Sequence, residues 1–231
     1  HGVASFHSTA DLKASLSSCR RLTNGREFCF DGVFMEFARS APESFYKIED
    51  PLYPCNVLEI EFGPQYSVAC GRNQPGVLMG RFKKGLDEVI GICLTSNSAQ
   101  FKGACFDSLG FSLASTADPD QIIAGCQKIG VVEYIVSCTK SAAGELIFQD
   151  VPLWNIKSPK ICTSLNSPYK DECQSYIDNL IKDYGRKPVN SFNYLKGGED
   201  VNTYLKSQLK ICYENNGKDN CYRDVAEIFF D

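Results

Sequence analysis

Apolar residues recur along this chain at helical intervals. Leu12, Leu16 and Cys19 fall on one helical face, and Leu86, Val89, Ile90 and Cys93 on another. Helix-start signals punctuate the pattern. Ser8-Thr9-Ala10-Asp11 reads as an N-cap with an acid three residues on. Asp118-Pro119-Asp120-Gln121 supplies a cap, a proline at the first helical position and a glutamine at the third. Ser158-Pro159 and Ser167-Pro168 read as two further starts, and Leu22-Thr23-Asn24-Gly25 and Ser96-Asn97-Ser98 as tight turns. The pattern predicts an all-α chain, more than half helical and essentially without sheet.

The cysteines impose a repeat on this pattern. All twelve fall into neighbouring pairs: Cys19/Cys29, Cys55/Cys70, Cys93/Cys105, Cys126/Cys138, Cys162/Cys173 and Cys212/Cys221. First members recur about every 35 residues, the size of a helix-turn-helix repeat. Four residues before the second cysteine, one helical turn away, stands an aromatic in four units: Tyr66, Phe101, Tyr134 and Tyr169. Units one and three match more closely, Cys29-Phe30-Asp31-Gly32-Val33 against Cys105-Phe106-Asp107-Ser108-Leu109. Each unit then reads as a short helix ending near its cysteine, a turn, and a second helix carrying the partner cysteine in its first two turns. The prediction is a right-handed α-solenoid of about six disulfide-stapled hairpins. Residues 1–181 form repeats one to five, 182–200 a polar insertion, and 201–231 a terminal capping hairpin.

Composition narrows the function classes. Of 231 residues 43% are hydrophobic and 23% charged, with a net charge of −4, which is globular and argues against nucleic acid as a partner. No apolar stretch reaches the roughly 18–20 residues of a membrane span. Even cysteine usage without a CxxC motif points to an oxidising compartment, extracellular, periplasmic or lumenal, and away from structural zinc. The start at His1 suits a processed mature form or a fragment. None of the thirteen asparagines stands in a glycosylation acceptor triplet.

Little of the sequence proposes chemistry. His1 and His7 are the only histidines, and as a mature N-terminus they would offer a copper site. With no other histidine to act as base and every cysteine paired, neither a Ser-His-Asp nor a Cys-His set can be built. Carboxylate pairs such as Glu59 with Glu61 and Asp118 with Asp120 read mainly as caps and solvated faces. The aromatics Phe28, Phe30, Phe34, Phe37, Phe45, Tyr46 and Tyr53 read as core before ligand pocket. Trp154 reads as part of a proline-bounded loop at the joint of units four and five.

His1-Gly2-Val3 followed by Cys29-Phe30-Asp31-Gly32-Val33-Phe34 resembles an uncharacterised group of exported proteins from environmental microbial genomes. In that group a His-Gly-x-Gly-His helix precedes Cys-aromatic-Asp-Gly repeats built as cysteine-paired helical hairpins. The chain departs from it at Ala4 and Ser5. More distantly it is similar to tetratricopeptide repeats. The resemblance implies a helical-repeat fold and, through the tetratricopeptide likeness, protein interaction. The resulting expectation is a non-enzymatic extracellular interaction or structural protein, a scaffold or assembly subunit, with a protein partner or self-assembly. Tyr184, Arg186 and Tyr194 are the expected contact residues. The alternative is copper binding, or a small enzyme, at His1 and His7.

Overall fold

A computed structural model describes residues 11–42, 45–47, 49–149 and 153–184. The described residues form ten α-helices and no strand: α1 Leu12–Cys19, α2 Arg26–Ser40, α3 Cys55–Phe62, α4 Pro64–Gly80, α5 Leu86–Thr95, α6 Ala99–Ala114, α7 Pro119–Gln127, α8 Val132–Phe148, α9 Trp154–Cys162 and α10 Tyr169–Tyr184. The chain divides into two compact units, His1–Ile177 and Asp178–Asp231. Of the second, only residues 178–184, the end of α10, are described. The proposed insertion 182–200 therefore begins as helix, through Tyr184, and the rest of it lies outside the described residues.

Short and long helices alternate because the turn residues sit close after the first cysteine of most units. Asp11 caps α1, its carboxylate accepting from the Lys13 and Ala14 amides at 2.8 and 3.1 Å. The acid read as one partner of a cap is thus the cap itself. Gly25, at φ 67°, turns the chain into α2, a conformation that costs glycine little. Ser98 caps α6, and Asp118 caps α7 with Pro119 behind it. Two expectations fail. Ser158-Pro159 lies inside α9, which starts four residues earlier at Trp154, so Trp154 is helical. The Ser158 hydroxyl, fully buried, donates instead to the Ala143 carbonyl of α8 at 2.6 Å. In unit two Cys55 opens its helix, directly after Pro54 at the N-cap, and does not close it.

Five disulfides join each short helix to its long partner: Cys19–Cys29, Cys55–Cys70, Cys93–Cys105, Cys126–Cys138 and Cys162–Cys173, with Cα atoms 5.5–6.2 Å apart. Such separations fall within the usual range for a disulfide. Cys212 and Cys221 lie outside the described residues. Helices of eight to ten residues, like α1, α3, α5, α7 and α9, are marginal alone. A bridge closing a loop this size contributes about 3 kcal/mol by constraining the unfolded chain.

The long helices α2, α4, α6 and α8 pack side by side in chain order, and the start of α10 reaches α8 through Lys140 and Glu172. Their junctions reuse two positions. The residue after the second cysteine meets the aromatic four before the next unit's second cysteine. Phe30 meets Tyr66 with ring centres 4.4 Å apart, and Phe106 meets Tyr134 at 5.0 Å. Between these, the aromatic Phe101 lies over Gly71, where an added Cβ would stand 2.8 Å from the Phe101 carbonyl oxygen. Gly110 brings α6 against the backbone of Cys138 in α8. Tyr66, Phe101 and Tyr134 are buried, as are Phe30, Phe34 and Phe37, but Phe28 is exposed. Ion pairs tie neighbouring short helices on the outside. Lys128 reaches Asp87 at 2.9 Å and Lys160 reaches Asp120 at 2.8 Å.

Candidate functional site

Two residues along an α-helix turn the side chain by about 200°, to the face opposite the starting position. The second cysteine of each unit points at its short helix. The residue two further on therefore points out of the other side of the long-helix layer. Those residues are Asp31, Arg72, Asp107 and Lys140, an alternation of sign across α2, α4, α6 and α8. On α10 the next charge is Glu172, just before Cys173.

The five charges form a row with an uneven pattern of pairing. Arg72 Nη1 meets Asp31 Oδ2 at 2.6 Å, and Lys140 Nζ meets Glu172 Oε1 at 2.6 Å. Lys140 also sits 5.4 Å from the ring centre of Tyr176. Both cations thus pair outward. Asp107, between them, makes no ion pair within 4.0 Å among the described residues, and its side chain bonds to Ser141. Burial raises its pKa above the usual aspartate value, with Arg72, the Ser141 bond and Lys140 pulling the other way. Asp31 is raised too, by burial first, despite its close Arg72, and its Oδ1 is buried without a hydrogen-bond partner. Burial likewise pushes up Glu145 and the Tyr176 phenol, the latter with the Asp107 and Glu145 charges adding to it.

Two hollows open on this face and meet at Asp107 and Ser141. The first, about 450 Å³, lies between α6, α8 and α10, with Glu133, Lys140, Tyr169 and Tyr176 in its walls. The second, about 520 Å³, lies between α2, α4, α6 and α8, walled by Met35, Arg39, Gly76, Val77 and Phe111. Met35 and Phe111 are 53% and 52% exposed and leave apolar surface open to a partner. Together the hollows touch all five long helices. A third, about 260 Å³, is edged by Phe37, Phe45 and Tyr53, so part of the aromatic group read as core does border open space.

His1, His7, Arg186 and Tyr194 lie outside the described residues, and Tyr184 ends α10 with its side chain undescribed. Among the described residues no group of three or more His, Cys, Asp and Glu is placed to hold a metal, and no helix is long and apolar enough to cross a membrane. Asp107 and its neighbours were missed, although the alternating charge two residues after each second cysteine was there to be read. No family model, curated protein or solved structure matches this chain.

Proposed function

We propose that this chain is a non-enzymatic recognition protein of an oxidising, extracellular-type compartment, a scaffold or assembly subunit that binds a protein partner through the outer face of its long helices. Units one to five would stack as turns of a right-handed α-solenoid, the arrangement that gives helical repeats a continuous binding face. One observation carries the reading: two hollows with Asp107 and Ser141 in the walls of both lie on a face whose helices are held by five disulfides. A surface fixed in advance loses less entropy on binding. Walls that mix exposed aromatic, methionine and charged side chains suit a specific interface.

The test is panning of a displayed random-peptide library on the oxidised full-length chain, repeated on Ser141→Arg, which fills the point where the hollows join. Enriched peptides should bind the wild type and weaken at least about ten-fold on the variant, with helicity unchanged. Equal binding to both proteins removes the groove as the recognition surface. Small-angle scattering of the full chain checks the solenoid, whose profile should be that of an elongated particle.

A further inference from the structure

Resting on that reading of the groove, we propose that Asp107 is a specificity residue that selects a lysine or arginine side chain on an extended partner polypeptide. The row of charges supplies the first ground. Arg72 and Lys140 are both held at 2.6 Å by the outer acids, so the central carboxylate is left for a cation that the protein does not provide. A Ser141 hydroxyl meets part of its need, but a hydroxyl carries no charge. An ion pair formed there, half out of water, would be stronger than the exposed pairs around it.

The shape supplies the second ground. Next to the acid the wall is apolar, from Val77, Phe111 and Met35, and the space above Gly76 is open, with no atom within 4 Å of where a Cβ would stand. A long aliphatic stem ending in a cation matches that sequence of surfaces, since lysine and arginine lay their methylenes on apolar ground while the head stays with charge. Length supplies the third and decides for a polypeptide. Packed helices lie about 8–10 Å apart, so the two hollows together extend over roughly 30–40 Å from α2 to α10. That is about ten residues of extended chain, far more than a free amine would cover.

Fluorescence anisotropy with capped, labelled pentapeptides tests this on the oxidised full-length chain. The probe has lysine at its centre flanked by leucines; the control has glutamine in place of the lysine. The lysine peptide should bind at least about ten-fold tighter. Asp107→Asn, which keeps a hydrogen bond to Ser141, should erase that difference, and Gly76→Leu, which fills the apolar hollow, should weaken both peptides. The preference should also fade on acidification, at a higher pH than for an exposed aspartate, as Asp107 protonates among Arg39, Arg72, Glu133, Lys140, Glu172 and Tyr176. Equal binding of the two peptides, or a preference that survives in Asp107→Asn, overturns the proposal. So does full displacement of the lysine peptide by equimolar butylamine, which would make this a small-amine site. Groove-dependent library peptides without a basic residue would sink this proposal and spare the groove; library peptides indifferent to Ser141→Arg would sink both.

Discussion

At the scale of the residue, the same amino acid has opposite consequences at two places in one helix. Gly110 of α6 lies so close to the Cys138 carbonyl of α8 that a methyl group cannot enter without moving backbone. Gly110→Ala is expected to destabilise by about 2 kcal/mol or more, the usual penalty of overpacking. Gly103, two turns away, has no neighbour within 4 Å of its would-be Cβ, and Gly103→Ala should stabilise by about 0.5–1 kcal/mol through helix propensity and a less free unfolded chain. Urea titration of both variants by circular dichroism checks the sign of each. Asp107 makes a second residue-scale prediction. Its folded pKa is raised by burial, so protonation favours the folded state: the stabilising contribution is complete below the ordinary value of 3.8 and disappears as pH rises through the folded value. Asp107→Asn should accordingly be more stable than wild type at neutral pH, and that advantage should shrink as the pH falls towards 4. Paired denaturant melts across that range would show a constant difference if the carboxylate were unstressed. None of this was legible beforehand, because a lone aspartate in the sequence does not say which helix will close over it. The cysteine two positions earlier did fix its direction.

At the scale of the element, the pairing of the ten described cysteines was legible because a bridge between neighbours in sequence needs only a turn of the right length. Helix boundaries were less so. Proline marked a start at Pro119, where a cap precedes it, yet sat inside α9 at Pro159, where the buried Ser158 bond to α8 and the Cys162–Cys173 bridge hold the helix through the missing amide. Tertiary contacts outweighed local preference there. The short helices depend most on their bridges. Replacing Cys126 and Cys138 together by alanine should cost about 2–5 kcal/mol. Hydrogen exchange should show where: amides of α7 losing protection first, while those of α6, wedged between α4 and α8, stay slow. Uniform loss through both helices would mean that the bridge acts on the whole layer and not on its own hairpin.

At the scale of the whole molecule, the all-α class could be read because repetition multiplies a weak signal, while the hollows could not, because they exist only where long helices lie side by side. The two repeated positions that follow each second cysteine also count the repeats. Phenylalanine and aspartate stand there in units one and three, glycine and arginine in unit two, threonine and lysine in unit four. Units one to four therefore alternate in sign, and unit five departs at these positions with Gln174 and Ser175, its acid standing at Glu172. Excising α5 with α6 would set Arg72 against Lys140, whereas excising α5 to α8 would set Arg72 against Glu172 and keep the signs opposed. A charge substitution in the odd-length chain would only slide the fault to the next junction. An array of this kind is expected to tolerate the loss of two hairpins better than the loss of one, and the close match between units one and three is the mark that a doubling by pairs would leave.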